Sequence, residues 1–174
     1  MTRGDARELA VHLIYGRDFT GDDPRQVVKT RLDEDYYTKL AEENEIYTDR
    51  PSAKQIAYIY TVVAGVADKM EELNSVIGKY SIGWDVKRIS RLSRAILQLA
   101  IYEICYMDDV PDGVAASEAV RLAKKYDAEA GAFINGILGR VVRAQTTPAT
   151  LEEPVVADAE EEAPAENAVV AEEV

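Results

Sequence analysis

The chain is poor in the residues from which most active sites are built. Its 174 residues include one cysteine, one histidine, one tryptophan and two phenylalanines. A single cysteine forms no internal disulfide, which excludes a disulfide-stapled secreted module. One histidine and one cysteine are too few for a Cys/His zinc site. No apolar stretch reaches the ~18 uninterrupted residues that span a bilayer. Met1 to Ala10 carries Arg, Asp and Glu where a signal peptide has an apolar core. Neither a dinucleotide-binding Gly-rich turn nor a P-loop motif is present. His12 reads as a part-buried structural residue and Cys105 as a small core hydrophobe. The pairs Glu42-Glu43 and Glu71-Glu72 read as hydrated helix surface. These absences predict a cytoplasmic binding protein with no catalytic residues, metal, cofactor or membrane segment, and not an enzyme.

Positive charge is also scarce overall, but unevenly so. The net charge is −12, and residues 145–174 carry −9 of it in eight Glu and one Asp, with no Lys or Arg. Residues 1–144 are close to neutral. The tail also holds seven Ala and three Pro and no aromatic residue. Such a segment buries too little apolar surface to offset the entropy of ordering. The sequence therefore divides into a folded domain, 1–144, and a disordered acidic tail, 145–174.

What the domain has in abundance is helical periodicity. From Ile56 to Tyr80 apolar residues recur in alternating steps of 3 and 4. With Ser52 as N-cap and Pro51 before it, this predicts one long helix over 53–79, packed in a bundle. A first helix is expected over 3–17, with Ala6, Leu9, Ala10 and Leu13 on one face. Asp23-Pro24 opens a second, roughly 24–43, followed by a linker over 44–51. Trp84 to Ile89 reads as a short helical turn. Residues 91–106 are apolar nearly all round, which marks a central helix buried on most sides. Two more helices follow, over 113–126 and about 131–144, and no segment reads as a strand. The fold class is all-α: a compact bundle of about seven helices. Asn135-Gly136 inside the last helix is costly on propensity and suggests close helix approach.

The basic residues are clustered. Lys87, Arg91, Arg94 and Gln98 are spaced 4, 3 and 4 apart, which would share one stripe on a continuous helix. Arg121, Lys124, Lys125, Arg140 and Arg143 form a second group, and Arg3 and Arg7 stand one turn apart.

The block Arg94-Ala95-Ile96-Leu97-Gln98-Leu99-Ala100-Ile101-Tyr102-Glu103-Ile104, followed by Asp109-Val110-Pro111, resembles the NusB transcription antitermination family. So do Glu118-Ala119-Val120, Leu122-Ala123-Lys124-Lys125-Tyr126 and Phe133-Ile134-Asn135-Gly136-Ile137-Leu138. The opening Ala6-Arg7-Glu8-Leu9-Ala10-Val11 with Tyr15 is similar too. The resemblance spans roughly residues 3–142. It implies two three-helix halves, binding of boxA-type single-stranded RNA together with the ribosomal protein NusE, and work in the RNA polymerase antitermination complex on ribosomal RNA operons. The candidate RNA-binding residues are Arg3, Arg7, Tyr15, Arg94, Glu129, Phe133 and Arg140. Where the family often opens with a run of arginines, this chain has Thr2-Arg3-Gly4-Asp5, and its 129–133 turn is shorter and less polar. Both departures predict weak RNA binding by the protein alone. An alternative is a protein-interaction adaptor of the same fold with weak or lost RNA binding.

Overall fold

The computed structural model describes residues 1–83, 89–126 and 129–146. The Trp84–Ile89 turn, apart from Ile89, and the tail from residue 147 lie outside the described residues. Among those described, eight α-helices and one 3-10 turn form the protein, with no strand. In order they are α1 (Arg3–Thr20), α2 (Pro24–Arg31), α3 (Glu34–Ala41), the 3-10 turn (Glu45–Tyr47), α4 (Ala53–Asp68), α5 (Met70–Tyr80), α6 (Arg91–Tyr106), α7 (Asp112–Tyr126) and α8 (Ala130–Thr146). None is long and apolar enough to cross a membrane.

Local chemistry sets the helix ends. Thr2 and Asp5 form a capping box, the Thr2 hydroxyl accepting from the Asp5 N–H at 3.1 Å and the Asp5 carboxylate from the Thr2 N–H at 2.7 Å. Gly21, at φ +69°, closes α1 in the left-handed conformation, so the helix runs to Thr20 and not to residue 17. Ser52 and Gln55 make a second capping box at α4.

Two expected helices are each broken in two. The 24–43 segment stops after Arg31, because the Asp33 side chain accepts from the Tyr36 N–H at 3.2 Å and starts α3. The 44–51 linker contains the 3-10 turn, which buries Ile46 and Tyr47. The 53–79 segment bends at Lys69, φ −105° and ψ 13°. The bend lets α4 pack on α1, α2 and α6 while α5 packs on α6 and α8. The 3–4 spacing runs through it unbroken, so the pattern carries no sign of the bend.

α1, α2 and α4 form one three-helix half and α6, α7 and α8 the other. The pillar is α6: Ala95 to Ile101 are buried, and the helix touches α1, α4, α5, α7 and α8. Ile134, Ile137, Leu138 and Val141 put one broad face of α8 into the same core. Gly136 does not mark close helix approach: it is exposed, and a Cβ there would meet nothing within 4 Å. Gly65 is the close approach, since the Tyr102 ring lies where its Cβ would stand.

Candidate nucleic-acid interface

Helix α1 sorts the candidates by its phase. Arg3 starts the helix at the surface, its side chain 41% exposed and 3.2 Å from the Asp109 carboxylate. One turn on, Arg7 is buried. Its Nε donates to both Glu103 oxygens, at 2.9 and 3.1 Å, and the Tyr58 hydroxyl donates to the same carboxylate at 2.9 Å. Arg7 is therefore an internal tie between α1 and α6, off the RNA-accessible surface. Burial pushes the Glu103 carboxyl above its ordinary range, against the pull of the Arg7 charge.

At the far end of α1, about 18 Å from Arg3 at ~1.5 Å per residue, Tyr15 is 36% exposed and meets Phe19 edge-on with centroids 5.1 Å apart. Phe19 is 59% exposed. The Arg91 guanidinium from the first turn of α6 lies over its ring at 4.5 Å and pairs with Asp18 at 3.7 Å. An exposed aromatic pair beside a cation offers stacking surface for unpaired bases and charge for a phosphate. Phe19 escaped the sequence reading because α1 was expected to end at 17. Once the helix runs to Thr20, Tyr15 and Phe19 are i, i+4 neighbours.

The remaining candidates are dispersed. Glu129 is exposed in the turn before α8, and Phe133 is half-buried against the core. Arg140 is half-buried and donates to the Tyr80 carbonyl at 2.9 Å. Arg94 is half-buried with its Nε enclosed and without a hydrogen-bond partner. The expected 87–98 stripe is not one surface. Lys87 lies outside the described residues, and Gln98 is buried, donating to Asn74 on α5 at 2.9 Å.

Between these ends, α7 is laced to α1. The buried Glu8 carboxylate accepts from Lys125 Nζ at 2.7 Å and from the Tyr126 hydroxyl, and His12 Nε2 stands 2.8 Å from that hydroxyl. A carboxylate only accepts, so the Tyr126 proton is committed to Glu8, and His12 Nε2 must carry a hydrogen and donate. Burial lowers the His12 pKa, with Arg31 and Lys125 adding to the effect against Glu8. For Glu8, burial raises the pKa, but the hydrogen bonds from Lys125 and Tyr126 outweigh it and hold the carboxyl below its usual range.

Both shifts have the same sign for stability. Between about pH 6.5, where an unfolded His titrates, and the lower folded value, the unfolded chain binds more protons, so stability rises with pH and is lost as the pH is lowered. Glu8 adds a second loss below the ordinary carboxylate range. Melting temperature followed from pH 7.5 to 5 should decline for the wild type. It should stay flatter for His12→Gln, which keeps a donor for Tyr126 without the titration. Parallel profiles would rule out His12 as the source.

Fold and site together define an all-helical binding module of two three-helix halves on a shared central helix. Its described residues include no His, Cys, Asp and Glu group suited to a metal. The NusB family model matches residues 4–143. Over 144 residues the chain is 42% identical to the transcription antitermination protein NusB of Acetivibrio thermocellus, covering 82% of this chain and 90% of that one. It is 37% identical to the NusB of Symbiobacterium thermophilum, covering 91% of this chain and 100% of that one. A crystal structure of the antitermination factors NusB and NusE in complex with double-stranded RNA matches with a TM-score of 0.63 at 26% identity, covering 82% of this chain and 96% of that one. The chain belongs to the NusB family.

Proposed function

We propose that this cytoplasmic protein binds boxA-type single-stranded RNA together with NusE, within the RNA polymerase antitermination complex, and so supports processive transcription of ribosomal RNA operons. The folded domain 1–144 carries this activity; α8 continues to Thr146, just past that boundary. The observation that carries the reading is the Tyr15–Phe19 pair with Arg91 stacked on it, on a chain of this family. A surface of that kind favours unpaired bases over a duplex, whose bases are already stacked.

Binding by the isolated protein is weak in this reading. Of the two N-terminal arginines, Arg7 is consumed by Glu103 and only Arg3 reaches solvent. Affinity for a boxA-type RNA, measured by fluorescence anisotropy across a salt series, should therefore be low alone and rise when NusE is added. The slope of log affinity against log salt should be about −0.7 per phosphate contact. A duplex of the same sequence should bind less well. Tight binding without NusE at physiological salt, or none with it, would overturn the proposal, and the second result would favour a protein-only adaptor.

A further inference from the structure

The first turn of α1, the start of α4 and the loop between α6 and α7 line a cavity of about 360 Å³ that is open to solvent on one side. We propose that it holds one unpaired nucleotide of the bound RNA, its phosphate on Lys54 and Arg3 and the amino group of its base on Asp109. The proposal rests on the RNA-binding reading above and assigns that RNA a second contact, at the opposite end of α1 from Phe19.

The volume is in the range of small-ligand pockets, ~300–1,000 Å³, enough for a single base but not for a partner helix. Tyr58 and Met107 supply apolar wall. Arg3 lies 5.4 Å from the Tyr58 ring centroid, a cation–π arrangement that leaves the guanidinium plane available to a stacked base. Two cations line the cavity against one carboxylate, Asp109. Lys54 is exposed in the first turn of α4, where the helix dipole adds positive field. The Ser52 cap serves the Gln55 N–H, so the Ala53 and Lys54 amides have no intrahelical acceptor.

The Arg3–Asp109 pair is exposed on both sides, 41% and 64%, and such pairs are weak enough for a ligand to part. Asp109 then gives the cavity a preference. A carboxylate only accepts hydrogen bonds. It matches the exocyclic amine of cytosine, adenine or guanine and opposes the O4 carbonyl of uracil. The Thr61 hydroxyl, also on the wall, donates or accepts as the rest of the base edge requires.

The test is competition against a labelled boxA-type RNA bound to the full chain with NusE, using oligo(C) and oligo(U) octamers. Oligo(C) should compete better than oligo(U) on the wild type. Lys54→Ala should weaken binding of the labelled RNA about tenfold and reduce the salt slope by about 0.7. Asp109→Asn should erase the preference for oligo(C), because the carboxamide donates as well as accepts and so serves the uracil O4 as readily as an amine, while loss of the charge frees Arg3 for any phosphate. Both positions are exposed, so melting temperatures should hold. Wild-type affinity and preference in both variants, or no preference for oligo(C) on the wild type, would overturn the proposal. So would variants that lose NusE but keep RNA, which would make the cavity part of a protein contact. If the wild type with NusE binds no RNA, the RNA-binding reading itself falls and the cavity assignment falls with it.

Discussion

Arg7→Ala should cost about 3–5 kcal/mol of folding stability, the usual loss when one partner of a buried ion pair is removed. Against a total of ~5–15 kcal/mol for a domain of this kind, that places the variant near its unfolding threshold. The melting temperature should fall by roughly 10 °C. Both side chains are enclosed, at 5% and 1% exposure, so water cannot replace the lost guanidinium at the Glu103 carboxylate. The variant escapes part of the penalty by protonating Glu103. Its carboxyl, already raised by burial, rises further without Arg7. A group whose folded pKa is raised contributes stability below its unfolded value and loses it as pH rises. The gap between wild type and Arg7→Ala should therefore be wider at pH 8 than at pH 5. A gap independent of pH, or a loss under 1 kcal/mol, would contradict the ion-pair account. Weaker RNA binding in this variant would report damage to the scaffold, not a lost contact.

Gly65→Ala should destabilise the protein by about 1–2 kcal/mol, although alanine is the better helix former by ~1 kcal/mol. The added Cβ would occupy the place of the Tyr102 phenol end, which lies against the α4 backbone. Displacing a packed side chain costs ~1–3 kcal/mol. The clashing atoms are the distal ones of the tyrosine, beyond the reach of a leucine. In a Tyr102→Leu background the same Gly65→Ala change should turn neutral or stabilising, and a denaturant-unfolding cycle over the four proteins would show the reversal of sign. Destabilisation unchanged in that background would move the cause elsewhere.

Much of the fold could be read from periodicity, because that pattern records which face is buried. The all-round apolar run of α6 marked the pillar, and Ser52 and Asp23-Pro24 marked true helix starts. Breaks that keep the 3–4 phase left no trace, as at Lys69. A cap inside a polar helix was missed because Asp33 is also an ordinary surface residue. At the candidate site, the difficulty was that a cation's role depends on what faces it. Arg3 and Arg7 look alike one turn apart, yet only one reaches solvent. A signal was present in Glu103, a lone acid within an apolar run, which requires a buried partner. For Gly136, a helical glycine indicates that a side chain is absent but not which neighbour, if any, makes use of the space.

The tie between Arg7 and Glu103 also bears on how the chain is made. Its two ends are 96 residues apart, an interval of about 5–20 s at elongation rates of ~5–20 residues per second. During that interval α1, α2 and α4 are synthesised while the Arg7 guanidinium, on the face meant for the interior, has no partner. The α1–α2–α4 half is thus not an early autonomous unit; it must wait, loosely assembled, for α6 to emerge and neutralise it. Nascent chains stalled before residue 103 should be the ones most dependent on chaperones.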